Sequence, residues 1–259
     1  MENYESGVMK DLLIAAGHRA KAYFRKVTPS WKANHTYITQ ADIEVQAFLT
    51  DELERLFPND GIIGEECELA KAPRQGDRYW VIDPIDGTAS FVRGFPEWGV
   101  AVGLLTPTQA LSGFFYLPCT NDLFYTLPDG SVWHNEERVA LAPPEPDGRE
   151  AVLLAGARLH RHFRVDPAYR GKIRSLGSTI AHICYVAGGS ADAAFVNRVA
   201  VWDLAAGLAM VLLNGGVAEY IDGTPVSLAD LLETGNAAQE MFIGHPDAVA
   251  YYRTRIMPF

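Results

Sequence analysis

The spacing of hydrophobic and polar residues predicts two helices at the start of the chain. Apolar positions recur at helical spacing over residues 5–27, which is typical of an amphipathic helix. The same spacing returns after Thr39, which suits the N-cap of a second helix with Asp42 in its first turn. The polar segment 28–37 predicts an exposed loop, in which Lys32 is expected to be solvated rather than bound to an anion.

Short apolar runs follow and predict strands. The run 79–82 is rich in β-favouring residues and is expected to end at Asp83, and a shorter strand ends in Glu65 and Glu66. Three later runs are separated by turns and predict an antiparallel meander, over residues 99–105, 111–117 and 123–127.

The last part of the chain alternates strand and helix signals. Strands are predicted over 151–155 and 191–196, and the segment 172–178 ends a strand and enters a helix. Asp203 lies at the N-terminus of a helix over 204–213. Considered alone, this aspartate is an ordinary cap with a favourable charge.

A linker is predicted between the two parts. Residues 142–148 contain three prolines and a glycine, which do not fit inside a helix or a sheet. We therefore expect an N-terminal α+β half over residues 1–141 and a C-terminal α/β half over residues 149–259.

The segment 80–91 combines two carboxylates, a turn and a helix start. Asp83 follows the apolar strand, and Asp86 lies near the cap of the helix expected to begin at Gly87-Thr88. Two carboxylates across the bend at Pro84 can converge on hard cations, and the neighbouring backbone N–H groups suit a phosphate. Asp-Pro and Asp-Gly are ordinary turn sequences on their own, but their position behind an apolar strand favours a metal and phosphate site.

Composition narrows the classes of protein. The chain has 259 residues and 48% hydrophobic content, enough for one large or two small domains with a real core. A net charge of −10 argues against binding to nucleic acid or acidic membranes. No apolar run is long enough to span a bilayer, no leader is recognisable, and the three cysteines form no metal or disulfide pattern, so we expect a cytoplasmic protein.

Three motifs in this order resemble the inositol monophosphatase-like family of magnesium-dependent phosphatases. They are Gly64-Glu-Glu66, Trp80–Thr88 and Trp202–Gly207, and Lys32 with Thr39–Asp42 resembles the N-terminal loop and helix start of that family. The resemblance runs from about residue 5 to residue 220. It implies a layered α/β/α/β/α sandwich of the inositol monophosphatase and fructose-1,6-bisphosphatase type, and a homodimer.

The resemblance also implies two or three Mg²⁺ ions. Glu65, Asp83 and the carbonyl of Ile85 would hold the first, Asp83, Asp86 and Asp203 the second, and Asp42 would lie near a weaker third site. Oxygen-only donors suit Mg²⁺ better than zinc. The implied reaction is in-line attack on phosphorus by a metal-activated water, which Glu65 and Thr88 would orient without a phosphoenzyme. Glu65, Thr88 and Asp86 are thus the expected catalytic residues.

A small phosphorylated metabolite is the expected substrate. Its contacts are expected from seven residues: Lys32, Gly87, Thr88, Gly177, Ser178, Arg198 and Asp203. Inositol monophosphatases typically carry a glutamate seven residues before the tryptophan-linked aspartate, where this chain has Val196, and this difference weakens an inositol assignment. Arg198 would instead favour a second anionic group or stack on a planar ring.

Two alternatives stay open at this point. The tetrapeptide Phe91–Gly94 resembles histidinol-phosphate phosphatases, although it can equally be a structural turn. From another class, a regulatory protein could bind metal and phosphate without turnover, but Glu65 and Thr88 are both present and favour an enzyme. A nuclease is disfavoured because the acidic chain has no basic stripe for a polymer.

Overall fold

The structure is a computed structural model that describes residues 2–32, 36–66, 72–142 and 148–259. Its α-helices are α1 (Glu2–Tyr23), α2 (Gln40–Leu56), α3 (Thr88–Arg93), α4 (Thr179–Ala187), α5 (Ala205–Leu213), α6 (Leu228–Thr234) and α7 (Pro246–Arg253). A 3₁₀ turn covers Leu159–Arg161.

The strands of the N-terminal half are β1 (Ser30–Trp31), β2 (Tyr37–Ile38), β3 (Gly61–Gly64), β4 (Tyr79–Asp86), β5 (Gly99–Leu105), β6 (Ala110–Leu117), β7 (Asp122–Thr126), β8 (Val132–His134) and β9 (Glu137–Val139). Those of the C-terminal half are β10 (Val152–Ala155), β11 (Phe163–Val165), β12 (Lys172–Arg174), β13 (Ala193–Val196), β14 (Val217–Tyr220), β15 (Met241–Gly244) and β16 (Ile256–Pro258).

Two sheets form the frame of the molecule. The first has seven strands in the order β3-β4-β5-β6-β7-β8-β9, and the antiparallel strands β5, β6 and β7 confirm the predicted meander. The second has five strands in the order β12-β10-β13-β15-β14, in which β10 runs parallel to both of its neighbours. Two short ribbons, β1–β2 and β11–β16, lie outside these sheets.

Helices and sheets alternate in five layers. Helices α1 and α2 pack on one face of the seven-stranded sheet, α4 and α5 lie between the two sheets, and α7 covers the outer face of the five-stranded sheet. Side chains along β13 alternate accordingly, because Val196 faces the central helices and Phe195 faces α7. This order confirms the predicted α/β/α/β/α sandwich.

Small residues let α5 lie directly on the seven-stranded sheet. A Cβ atom on Gly113 would lie 2.1 Å from the carbonyl oxygen of Ala206, and one on Gly103 would lie 2.7 Å from the side chain of Ala205. Any larger residue would push the helix away from the sheet. This close approach fixes the start of α5, and with it the position of Asp203 just before the helix.

Strand β4 is longer than the sequence predicts. It was expected to end at Asp83, but it continues to Asp86, with a shift in its pairing to β5 between these two residues. Pro84 lies inside this irregularity, where its missing N–H removes no regular ladder bond. The bulge therefore lets one strand carry two aspartates toward the same pocket.

Near the N-terminus, two predictions are wrong and one is confirmed. The segment 28–37 is not all loop, because Trp31 pairs with Tyr37 in an antiparallel ribbon. The first helix ends at Tyr23, earlier than expected. Thr39 is the N-cap of α2 as predicted, and its backbone and hydroxyl bind Asp42 in a capping box.

The predicted linker falls on residues 143–147, which lie outside the described residues. The division into halves at that segment stays a prediction. Residues 217–259 form three strands and two helices that the sequence patterns did not predict. None of the helices in the described ranges is both long and apolar enough to cross a membrane.

The start of α4 is held by a buried histidine. Ser178 is the N-cap of the helix, and the backbone N–H of Leu176 donates to Nε2 of His182 at 2.8 Å. Burial lowers the pKa of His182 to about 4, which keeps the ring neutral and able to accept this bond. His182 thereby fixes the turn that leads into the helix.

We expect this histidine to make stability depend on pH. Its folded pKa lies below the value of about 6.5 for an unfolded chain, so its contribution is complete above pH 6.5 and is lost as the pH falls toward 4. The loss amounts to about 3 kcal/mol in the free energy of unfolding. Denaturant titrations from pH 4.5 to 8 should show this slope as a difference between wild type and His182→Gln, whose amide oxygen can still accept the bond.

The exposed His160 supplies a matched control. His160→Gln should follow the wild-type curve at every pH. If His182→Gln also follows it, the histidine is not neutral in the folded protein and our assignment is wrong.

Candidate functional site

A pocket of about 660 Å³ is lined by residues from two parts of the chain, 31–89 and 158–203. Its walls come from the β1–β2 ribbon, the end of β3, the bulge of β4, the start of α3, the turn before α4 and the turn before α5. The lining residues are Trp31, Thr36, Tyr37, Glu65, Asp83, Ile85, Asp86, Gly87, Thr88, Ala89, Arg158, Gly177, Thr179 and Asp203.

Three aspartates form an acidic cluster at the base of this pocket. Asp83 and Asp86 are buried and come from β4, and Asp203 is partly buried and comes from the turn before α5. One carboxylate oxygen from each lies within 4.8 Å of the others. Residues about 120 positions apart in the chain thus meet at one point, as the sequence motifs predicted.

Each carboxylate of the cluster is oriented by backbone N–H groups. Asp83 accepts from the N–H of Ile85 at 3.0 Å, and Asp203 accepts from that of Ala200 at 3.1 Å. Asp86 accepts from the N–H of Ile180 at 2.8 Å, with further bonds from the first turn of α4. These bonds leave other carboxylate lone pairs free for a ligand.

Asp86 therefore differs from the sequence prediction in one respect. It lies next to the cap of the following helix as predicted, since the N-cap of α3 is Gly87 with φ of 86°, but no side chain caps that helix. The carboxylate of Asp86 instead lies at the N-terminus of α4, where the hydroxyl of Ser178 also donates to it. A helix N-terminus stabilises a negative charge. The helix that stabilises the carboxylate of Asp86 in this way is therefore α4 rather than α3.

Burial and mutual repulsion shape the electrostatics of the cluster. Burial, followed by the charges of Asp86 and Glu65, raises the pKa of Asp203 to about 8. Burial also raises the pKa of Asp86 to about 6, although its hydrogen bonds from α4 favour the charged form. Burial and the surrounding carboxylates raise the pKa of Asp83 well above its ordinary value. A divalent cation would remove this repulsion, which is how a metal site built from carboxylates behaves.

Glu65 joins the site through strand pairing. Strand β3 runs parallel to β4 with Gly64 opposite Ile82, so Glu65 comes next to Asp83. The carboxylate of Glu65 lines the pocket but is not part of the three-aspartate cluster, because Lys32 holds it at 2.6 Å. The site thus contains a fourth carboxylate that is paired with an ammonium group.

Lys32 is not solvated, and that prediction is wrong. Its Nζ contacts both Glu65 and Glu66, and only 17% of its side chain is exposed. Burial opposes the charged form, but the hydrogen bonds to the two glutamates outweigh it and raise the pKa of Lys32. Lys32 therefore holds the β1–β2 ribbon against the acidic site.

Thr88 and Asp42 are linked on the other side of the pocket. The hydroxyl of Thr88 donates to the carbonyl oxygen of Ile85 at 3.0 Å, and Oδ1 of Asp42 lies 3.4 Å from it. Asp42 is fully buried, and this burial raises its pKa even though bonds from Thr39 favour its charged form. The Thr88 hydroxyl is thus fixed between the carbonyl of Ile85, which is a predicted metal ligand, and the buried carboxylate of Asp42.

Glycine is required at two predicted substrate contacts. A Cβ atom on Gly87 would lie 3.0 Å from the carbonyl oxygens of Glu97 and Gly177. A Cβ atom on Gly177, whose φ is +92°, would lie 2.4 Å from Oγ of Ser90. The backbone of both residues therefore comes to the pocket surface without a side chain in the way.

The structure does not bring Arg198 to the pocket. Its side chain is 67% exposed, and its Nε lies 3.7 Å from a carboxylate oxygen of Glu240. The arginine among the lining residues is Arg158, and two aromatic residues, Trp31 and Tyr37, line the pocket as well. Sequence reasoning missed these three, although two aromatic residues in an otherwise polar segment were a usable signal.

Fold and site together define a class. The layered α/β sandwich carries a cluster of oxygen donors in its pocket, and such clusters hold the ions of metal-dependent hydrolases. Residues 7–248 match the family model described as the inositol monophosphatase family. The chain belongs to this family, whose members are phosphoric monoester hydrolases.

Individual relatives agree with this assignment. The fructose-1,6-bisphosphatase/inositol-1-monophosphatase of Thermotoga maritima is 30% identical over 224 residues, which cover 82% of this chain and 83% of that protein. The Nus factor SuhB of Xylella fastidiosa is 32% identical over 196 residues, covering 71% and 69%. Among solved structures, the Thermotoga maritima IMPase matches with a TM-score of 0.79 and 25% identity, over 98% of both chains.

The repulsion within the cluster leads to a test of stability. We expect Asp203→Asn to raise the melting temperature of the chelator-treated protein, because folding forces Asp203 either to take up a proton or to hold its charge beside other carboxylates, and asparagine does neither. A gain of about 1 kcal/mol corresponds to a rise of roughly 2–4 °C. The same variant should lose most of the rise in melting temperature that added Mg²⁺ gives the wild type.

Asp51→Asn, on the exposed face of α2, is the control and should change neither quantity. A lower melting temperature of Asp203→Asn in chelator would contradict the repulsion argument. An unchanged response to Mg²⁺ would remove Asp203 from the metal site.

Proposed function

We propose that this protein is a Mg²⁺-dependent phosphatase that hydrolyses a small phosphomonoester by direct attack of water. The observation that carries the proposal is the meeting of Asp83, Asp86 and Asp203 within 4.8 Å in a pocket between the two halves. Carboxylates at this spacing, with raised pKa values and free lone pairs, fit a hard divalent cation that prefers oxygen ligands.

The donor set suits two ions. Glu65, Asp83 and the carbonyl of Ile85 would hold one ion, and Asp83, Asp86 and Asp203 would hold the other. Asp42 is buried and hydrogen-bonded to Thr39, so it is less available as a direct ligand for a third ion. When bound, Mg²⁺ would lower the pKa of water and stabilise the negative charge on the departing oxygen.

The chain's own residues position the reactants. The Thr88 hydroxyl donates to Ile85, which leaves its oxygen lone pairs to accept a hydrogen bond from a water in the pocket. Glu65 offers a second acceptor for the same water, and the two acceptors turn the lone pair of the water toward phosphorus. The backbone of Gly87 and Thr88 at the start of α3 provides N–H donors for the phosphate oxygens.

Several observations bear on the substrate. Val196 is buried in the central core, so it offers no hydrogen bond to a polyol hydroxyl. The tetrapeptide Phe91–Gly94 forms the end of α3, where Phe91 packs on Trp98 and Gly94 is the left-handed C-cap. This tetrapeptide therefore has a structural role and gives no support to a histidinol-phosphate phosphatase. A homodimer and a cytoplasmic location stay predictions.

The alternative of a regulatory protein without turnover has less support. All four acidic residues expected at the metals are present, and Thr88 is held in place by two partners. A phosphate-release screen over small phosphomonoesters, with Mg²⁺ and with chelator, decides between the two. Metal-dependent release from any of them supports the enzyme.

Neutralising one ligand should abolish that activity. Asp86→Asn keeps the shape and one acceptor oxygen for the N–H groups of α4, but it removes the negative charge that holds the metal. We expect phosphate release to fall below detection while the circular dichroism spectrum is unchanged. Asp51→Asn is again the control. A wild-type rate for Asp86→Asn, or full wild-type activity in excess chelator, would contradict the metal-dependent mechanism.

Removing the Thr88 hydroxyl tests the orientation of the water. Thr88→Val keeps the shape of the side chain, and we expect kcat to drop by roughly 10²-fold, as for loss of one preorganised polar group. Thr88→Ser keeps the hydroxyl and should retain most of the activity. If Thr88→Val loses Mg²⁺ affinity but has a normal rate at saturating metal, Thr88 supports the metal site rather than the water.

A further inference from the structure

The mouth of the pocket carries an exposed aromatic pair. Trp31 is 65% exposed, and its ring centroid lies 4.5 Å from that of Tyr37, with the ring planes tilted by 42°. Both side chains line the same pocket as the aspartate cluster. A tryptophan this exposed contributes little to the hydrophobic core, so the fold does not explain its presence there.

The pair is held in place by the metal site itself. Trp31 and Tyr37 are opposite each other in the β1–β2 ribbon, and the backbone N–H of Lys32 donates to Thr36 at 2.9 Å. The ammonium group of Lys32 is bound by Glu65 and Glu66 at the edge of the acidic cluster. The ribbon is therefore tied to the edge of the acidic cluster at which the phosphate ester would be hydrolysed.

A cation faces the pocket from the other half of the molecule. Arg158 follows β10, whose carboxyl end lies beside that of its parallel neighbour β13, a usual position for ligand-binding residues. The loop that carries it packs on β13, since a Cβ atom on Gly156 would lie 3.3 Å from Nδ2 of Asn197. Arg158 is the one basic side chain among the pocket-lining residues that the structure describes.

We infer that Trp31, Tyr37 and Arg158 form a leaving-group subsite that selects phosphomonoesters of a flat ring bearing a second anionic group. The inference rests on the proposed function and names the substrate class for it. The indole and phenol rings offer a stacking surface to a planar leaving group. The guanidinium group binds a carboxylate or phosphate with two parallel hydrogen bonds. Because Arg158 is the one cationic side chain among the described lining residues and four of the others are carboxylates, a second anion is best placed beside it.

The chemistry of this subsite excludes simple polyols as preferred leaving groups. A polyol needs several hydrogen-bond partners, whereas the ribbon presents ring faces and the core residue Val196 presents none. A flat ring loses less hydration on binding than a polyol does, and the pocket recognises it by its shape. Arg158 then distinguishes an acidic ring from a neutral one.

The test compares three esters that differ in one feature at a time: glycerol 2-phosphate, phenyl phosphate and 3-carboxyphenyl phosphate. Each variant is judged by the ratio of its kcat/KM values for two esters, relative to the same ratio for the wild type, so that intrinsic reactivity cancels. Trp31→Ala should lower the ratio of phenyl phosphate to glycerol 2-phosphate about 10-fold, and Trp31→Phe should restore most of it. Arg158→Ala should lower the ratio of 3-carboxyphenyl to phenyl phosphate about 10-fold or more.

Matched controls come from similar residues outside the pocket. Arg161→Ala removes an exposed arginine of the same 3₁₀ turn, and Phe259→Ala removes an aromatic side chain that is 81% exposed. Both should leave the two ratios at their wild-type values. Ratios that stay constant in Trp31→Ala and Arg158→Ala as well would overturn the subsite.

A binding measurement separates this inference from the proposed function. Calorimetry with Mg²⁺ gives the Kd values of the non-hydrolysable ethylphosphonate, phenylphosphonate and 3-carboxyphenylphosphonate. If the wild type hydrolyses none of the esters but still binds the aryl phosphonates more tightly through Trp31 and Arg158, the subsite stands and the phosphatase proposal fails. If esters are hydrolysed but neither residue affects the order of Kd values, the phosphatase stands and the subsite is refuted.

Discussion

The contact between Asp86 and the first turn of α4 is the interaction on which the site depends. Asp86 belongs to the seven-stranded sheet, whereas α4 belongs to the C-terminal half, and the N–H groups of Thr179 and Ile180 bind its carboxylate. The helix N-terminus stabilises the negative charge, and the charge satisfies N–H groups that the helix cannot satisfy itself. His182 holds the turn before this helix, so the position of Asp86 depends on a histidine that is not among the pocket-lining residues.

The same arrangement stores electrostatic free energy. Asp83, Asp86 and Asp203 are brought together by a strand bulge, a helix terminus and the close packing of α5 on Gly103 and Gly113. A functional site that is less stable than its surroundings is a common result of selection for binding.

The sequence predicted those parts of the molecule that local chemistry determines. Thr39 and Asp42 form the helix start that their local pattern predicts, and Asp83 and Asp86 lie at the end of the strand that the apolar run predicts. Lys32 was misjudged because its partners lie more than 30 residues away and no local pattern reveals an ion pair. Arg158 was missed for a similar reason. Only the folded structure shows that it lines a pocket whose other residues come mostly from the N-terminal part of the chain.

Lys32 gives the molecule a counter-ion of its own. Its ammonium group sits between Glu65 and Glu66 beside the three aspartates, so part of the negative charge is balanced by the chain itself. Many small metalloproteins fold only once their ion is bound, because nothing else offsets the charge of their ligands. In this protein the ammonium group of Lys32 offsets part of the charge of the acidic site within the folded chain itself.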